Sequence, residues 1–156
     1  MVFEMAKEAD FEAVNRLARQ VVACHAQWDK SLDLSMEPYP KEWFLKFIQE
    51  DSLEQTTIYV ARIDGDVVGF MRFYLWQTDS AVSGRRSILQ LDDFGVEETL
   101  RNRSIGQQMM QELKELAQRE GCAELRLNVD ASNKRAIAFY ERCGLHVRNH
   151  AMGLTF

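Results

Sequence analysis

Two β-rich runs, Thr57–Ile63 and Val67–Trp76, stand on either side of Asp64-Gly65-Asp66, and this junction constrains the fold more than any other feature of the chain. A type I′ turn requires positive φ at both central residues, which Asp-Gly supplies, and its twist matches that of two paired strands. The middle of the chain is therefore expected to be an antiparallel hairpin. Arg86–Val96 reads as a third strand of the same kind. Ahead of the hairpin, Val14, Leu17, Ala18, Val21 and Val22 recur at helical spacing, with Asp10 placed to cap, which predicts a helix from Asp10 to His25. Trp28–Tyr39 has no clean period, holds Asp29, Asp33 and Glu37, and reads as an exposed loop. Pro40 suits the first turn of a short helix with Trp43, Phe44, Phe47 and Ile48 on one face.

Beyond the third strand, Ile105, Met109, Met110, Leu113, Leu116 and Ala117 define a helix that Gly121 ends. Leu125, Leu127 and Val129 alternate as a strand, Ser132 is placed to cap a last helix stopping at Gly144, and Leu145–Arg148 and Ala151–Phe156 read as two closing strands. The strand–helix–strand units near the end imply parallel neighbours, whereas the hairpin implies antiparallel ones. The expectation is an α/β fold: a central mixed, largely antiparallel sheet flanked by helices in three layers.

At 156 residues, one domain spanning 1–156 suffices, and a chain of this size buries enough surface to fold without metal or disulfide. Cys24, Cys122 and Cys143 are odd in number and widely spaced, with no CxxC or Cys/His cluster, so neither a disulfide framework nor a metal site is expected. There is no apolar run of the ~20 residues that a membrane span needs. Met1–Lys7 lacks the character of a secretory signal, and a cytoplasmic protein is the expectation. The net charge of −5 is a poor field for nucleic acid, so any anionic ligand must be held by a local site.

One segment offers such a site. Val96-Glu97-Glu98-Thr99-Leu100-Arg101-Asn102-Arg103-Ser104-Ile105-Gly106 runs from a strand through a tight loop into a helix N-terminus. Backbone N–H groups there lack partners and carry the positive end of the helix dipole, so they suit a phosphate. Ser104 and Gly106 are small enough for close approach, and Arg101 and Arg103 add charge. Neither GxxxxGK[ST] nor GxGxxG is present. On its own the segment reads equally well as an ordinary loop with a serine cap.

A second segment, Asn133-Lys134-Arg135-Ala136-Ile137-Ala138-Phe139-Tyr140-Glu141-Arg142-Cys143-Gly144, changes that balance. Together the two segments resemble the GNAT superfamily of acyl-CoA N-acyltransferases. Arg101, Ser104 and Gly106 fall on the superfamily's (Arg/Gln)-x-x-Gly-x-(Gly/Ala) motif, with serine in place of the usual glycine. Asn133, Ala136, Phe139, Tyr140, Glu141 and Gly144 fall on its Asn-x-x-Ala-x-x-hydrophobic-Tyr-Glu-x-x-Gly motif.

The resemblance implies a role for each position. Phe94, Gly95 and Val96 would form the end of a bulged strand whose splayed edge pairs with the pantetheine arm of acetyl-CoA, with the N–H near Phe94 as an oxyanion donor. Arg101, Asn102, Arg103, Ser104, Ile105 and Gly106 would cradle the pyrophosphate, and Asn133 would hold the cofactor arm. Tyr140 would protonate the departing thiolate; its alternative is a core aromatic beside Ile137 and Phe139. Leu91-Asp92-Asp93-Phe94-Gly95-Val96 resembles the strand of polyamine-type members, which puts Asp92 where a base would stand. Asp92 can act directly, through a water, by attracting a cation, or be merely ion-paired. Asp93 points to the other face by strand alternation, unless the bulge starts early. His25, at a helix C-terminus, reads as a dipole partner rather than a base.

The implied function is direct transfer of acetyl from acetyl-CoA to a primary amine, with no metal. The acidic Asp29, Asp33, Glu37 and Asp92 stand apart from the basic cofactor segments, which favours a small cationic amine as acceptor. Two alternatives are a protein N-terminal or lysine acetyltransferase and an acyl-CoA sensor without turnover. Dimers are common in the superfamily, so a homodimer is among the expected states.

Overall fold

A computed structural model describes residues 1–49, 56–82 and 84–154. Its sheet has five strands in sequential order: β1 (Val2–Met5), β2 (Thr57–Ile63), β3 (Asp66–Ser80), β4 (Gly84–Val96) and β5 (Glu124–Leu127). The first three junctions are antiparallel, and β4 pairs with β5 in parallel. Among the described residues four helices flank it: α1 (Phe11–His25), α2 (Lys41–Ile48), α3 (Ile105–Arg119) and α4 (Lys134–Arg142). The expected three-layer architecture forms. The hairpin turn does too, with Asp64 at φ 52° and Gly65 at φ 90°.

Strand alternation divides the core between the two faces. Ile58, Val60, Val67 and Phe70 pack under Val14, Leu17 and Ala18 of α1 and Phe44 of α2. Ala61, Met71, Phe73, Leu89 and Leu91 pack under Met109, Met110 and Leu113 of α3. All six apolar positions read as one face of α3 are buried. Each large side chain so buried contributes about 1.5–3 kcal/mol, so packing rather than propensity holds the helix.

A register shift between Arg72 and Phe73 positions the site. Arg72 pairs with Asp93 and Phe73 with Leu91, leaving Asp92 as the extra residue of a bulge in β4. Beyond it the pattern resumes one residue out of phase. Leu89 and Leu91 face α3 before the bulge, and Phe94 and Val96 face it afterwards.

Several local expectations need correction. Asp10 does not cap α1; it closes a 3-10 turn (Glu8–Asp10), where its carboxylate accepts from the Lys7 N–H at 2.8 Å and from Arg62 at 2.5 Å. Trp43 is exposed, so only Phe44, Phe47 and Ile48 of α2 face the core. β5 stops at Leu127, before Val129. Asn133, not Ser132, caps α4, its Oδ1 accepting the Ala136 N–H at 3.0 Å.

The two closing strands do not form among the described residues. Gly144, at φ 90°, ends α4, and residues 145–154 carry no sheet pairing; Val147, Met152 and Leu154 are exposed. The alternation in Leu145–Arg148 is too short to choose a strand without an edge that binds it. The end of the second expected strand lies outside the described residues. No helix among the described residues is long and apolar enough to cross a membrane.

Candidate active site

Where β5 ends, β4 continues. The parallel register runs only from Ile88 opposite Glu124 to Leu91 opposite Leu127, so Asp92–Val96 keeps β3 on one side and has no β5 partner on the other. Below this open edge lies a cleft of about 410 Å³. Phe94, Gly95 and Val96 form its floor, the β4–α3 loop one end, Val21, Cys24 and His25 of α1 one wall, and α4 the other.

The loop reaches its shape through two non-glycine residues at positive φ, Asn102 at 68° and Ser104 at 63°. Asparagine tolerates this region, whereas serine incurs about 1–2 kcal/mol there. A turn built on left-handed residues can present backbone N–H groups to an anion. Ser104 gives no side-chain cap, and the first helical bond closes from the Gln108 N–H onto the Ser104 carbonyl at 3.0 Å. The N–H groups of Ile105, Gly106 and Gln107 are thus left for a ligand at the positive end of α3. α1 braces the entry to the loop: Gln20 donates to Glu97 at 2.9 Å and accepts the Glu98 N–H at 3.0 Å.

The expected cofactor residues divide three ways. Phe94, Gly95, Val96, Arg101, Asn102, Ser104, Gly106, Asn133 and Tyr140 all line the cleft. Ile105 is buried in the core and Arg103 is exposed, and neither is in the lining. Arg101 spends its guanidinium locally, donating to the Val96 carbonyl at 3.3 Å and pairing with Glu98 at 3.3 Å. Arg135 and Arg142, which the sequence marks only as basic residues of the cofactor segments, also line the cleft. Their i, i+7 spacing puts them on one face of α4, a signal present in the sequence.

At the inner end three rings meet. Phe94 stacks on Phe139 with centroids 5.4 Å apart, and Tyr140 meets both edge-on at 6.3 and 5.3 Å. Gly106 makes room for them, since a β-carbon there would sit 3.3 Å from the Phe139 ring. The Tyr140 hydroxyl has no hydrogen-bond partner among the described residues. Burial, then the charges of Cys143 and Asp93, push its pKa from 10.0 up to about 12. Such a phenol holds its proton through the neutral range and can donate it.

The acidic pair is arranged otherwise than alternation alone predicts. Because the bulge falls at Asp92, both carboxylates reach the same guanidinium: Arg72 Nη1 is 3.2 Å from Asp92 and Nε 2.7 Å from Asp93. The Tyr39 hydroxyl also donates to Asp93. Burial, partly offset by Arg72 and reinforced by Asp93, raises the Asp92 pKa. Arg72 in turn lies over the Tyr39 and Phe47 rings, at 5.9 and 6.0 Å. Tyr39 and Arg72 carry no motif, and no sequence signal marks them. His25 lines the cleft with its ring 6.1 Å from that of Trp28. Asp29 and Asp33 close local turns onto Ser31 and Ser35, and Glu37 pairs with Arg19 at 2.9 Å.

The model of the acetyltransferase (GNAT) family matches residues 22–145. Among solved structures, a variant of the BH1408 protein from Bacillus halodurans is similar over 100% of this chain and 99% of its own, with a TM-score of 0.90 and 23% identity. A ribosomal-protein-alanine N-acetyltransferase from Brucella melitensis biovar Abortus covers 100% of both chains at a TM-score of 0.68 and 20% identity. An aminoglycoside acetyltransferase from an uncultured soil metagenomic sample, in complex with sisomicin, covers 99% of this chain and 94% of its own at 0.72 and 15%. No curated protein matches the sequence significantly.

Proposed function

This chain belongs to the GNAT family of acetyltransferases, and from that premise we propose that it transfers acetyl from acetyl-CoA to a small cationic primary amine by direct attack in a ternary complex. The observation that carries the reading is the continuity of the cleft. An unpaired strand edge, an anion-binding helix N-terminus and a protonated tyrosine succeed one another along it.

The residues present fit the cosubstrate. The N–H groups of Gly106 and Gln107, with Arg135 and Arg142 on the rim, suit a pyrophosphate; the open edge of Asp92–Val96 suits an amide-bearing arm. Acetyl-CoA supplies an activated thioester. The N–H near Phe94 donates to its carbonyl oxygen as negative charge develops there. Asp92 receives the proton of the acceptor amine, and Tyr140 gives one to the leaving sulfur. Asn133 caps α4 with its oxygen and retains its amide nitrogen for the cofactor arm.

The fold does not choose the acceptor, since it serves both a ribosomal-protein-alanine enzyme and one found with sisomicin. Asp92 and Asp93 together carry more negative charge than Arg72 balances, and this supports a cation on that side. Thiol release from acetyl-CoA against a panel of polyamines, aminoglycosides and peptides tests the reading. Turnover of small polyamines, with KM rising with salt, is the expected result. Acetylation of peptides alone, without salt dependence, overturns the acceptor class, and no thiol release with any amine overturns the enzyme.

A further inference from the structure

Asp93 is the most tightly held carboxylate of the site, yet direct acetyl transfer through Asp92 and Tyr140 leaves it without a task. Its Oδ2 accepts from Arg72 Nε at 2.7 Å and from the Tyr39 hydroxyl. Tyr39 is immobilised in turn: Asn15 of α1 donates to its carbonyl at 3.0 Å and accepts its N–H at 2.9 Å, and its ring meets Phe47 and Phe70 edge-on. Three elements thus converge to hold one side chain in place. Through the bulge that side chain lies next to Asp92 and on the same guanidinium.

We propose that Asp93 is a positioning residue for acetyl transfer: a fixed negative charge, clamped by Tyr39 and Arg72, that tunes the neighbouring Asp92 for removing a proton from the acceptor amine. The inference rests on the reading of Asp92 as the base. The groups facing the pair are Arg72 from β3, Tyr39 from the segment before α2 and Tyr140 from α4; α2 contributes only the Phe47 ring. Arg72 alone would pull the Asp92 carboxyl down and make it a feeble acceptor of protons. A second carboxylate on the same guanidinium opposes that pull, and Asp93 acts on both Asp92 and Tyr140 in the raising direction. Tyr39 and Arg72 together keep the carboxylate from swinging away, and the bulge supplies the adjacency.

The test is the titration of Asp92 itself, tracked by the NMR shift of its side-chain carbon in the wild-type protein and in Asp93→Asn, alongside the acidic limb of kcat/KM with acetyl-CoA and a polyamine. Asp93→Asn should lower the Asp92 midpoint, and the limb should move with it. Tyr39→Phe, which releases the hydroxyl clamp on Asp93 without touching Asp92, should move the midpoint in the same direction, and this arm stands even where Asp93→Asn fails to fold. The acetyl-CoA-induced rise in melting temperature should be unchanged in both variants. An Asp92 midpoint unmoved in either folded variant, whatever happens to kcat, reduces Asp93 to a structural fastener and overturns the inference. A wild-type protein that binds acetyl-CoA without thiol release, yet shows the shift, instead overturns the enzyme reading and leaves the coupling standing.

Discussion

Asn15 and Tyr39, 24 positions apart, exchange two hydrogen bonds in the core: the asparagine amide donates to the tyrosine carbonyl at 3.0 Å and its oxygen accepts the tyrosine N–H at 2.9 Å. Asn15 is fully buried and Tyr39 is 6% exposed, so neither backbone group has water as a substitute. Asn15→Ala should therefore destabilise the fold by about 2–4 kcal/mol, the cost of orphaning a buried N–H and C=O together. The shift in denaturant midpoint measures it. Loss of the Tyr39 clamp should also lower kcat beyond what the remaining folded fraction accounts for.

Ser104 occupies the left-handed region where the family motif carries glycine. Ser104→Gly should relieve about 1–2 kcal/mol of backbone strain, against about 0.5–1 kcal/mol of added unfolded-state entropy. A small rise in melting temperature with unchanged acetyl-CoA binding is expected. Ser104→Val should lower both, because a β-branched residue resists positive φ more strongly.

Gly106 lies against the ring cluster, not in a strained turn. Its substitution should scale with size: Gly106→Ala places a methyl at the edge of contact with Phe139 and Phe94, at 3.3 and 3.4 Å, and should be nearly tolerated. Gly106→Leu should displace the stack and close the cleft. Saturating acetyl-CoA at a hundredfold excess over Kd should stabilise the wild-type protein by about 2.7 kcal/mol. Thermal shift should show that gain lost in Gly106→Leu.

Tyr140→Phe removes only a hydroxyl, so acetyl-CoA affinity should hold while kcat falls by roughly 10²–10⁴-fold. A thioester with a better leaving group should recover part of the loss. The raised pKa adds a stability signature. The unfolded chain ionises Tyr140 from its ordinary 10.0, whereas the folded protein keeps the proton to about 12. Stability is therefore intact below pH 10 and falls as pH rises between the two values, by up to about 1.4 kcal/mol per unit for each such group. The fall should be shallower in Tyr140→Phe. Burial beside Asp93 raises Tyr39 in the same direction, and this leaves a residual slope.

Local chemistry was enough to read part of this molecule. Asp64-Gly65 set a hairpin because few dipeptides accept two successive positive φ values. The spacing of Ile105, Met109, Met110 and Leu113 set the face of α3 that packs, because a helix repeats every 3.6 residues. The strand–loop–helix run to Gly106 marked the floor and one end of the cleft, and the run from Asn133 to Gly144 marked one wall. The remainder depended on long-range packing. The direction of Asp93 depended on a one-residue bulge at Asp92, and a period of two in side-chain direction makes any single insertion reverse every side chain beyond it. Arg101, Arg135 and Arg142 all line the cleft, but the Arg101 guanidinium folds back on Val96 and Glu98. Helical phase and nearby acceptors, not charge, decide where a guanidinium goes. Leu145–Arg148 and Ala151–Phe156 read as two strands and formed none among the described residues, since a strand exists only against an edge that satisfies its backbone. Tyr39 and Arg72 could not be read from the sequence, because their role lies wholly in contacts made with residues 21 and 54 positions away.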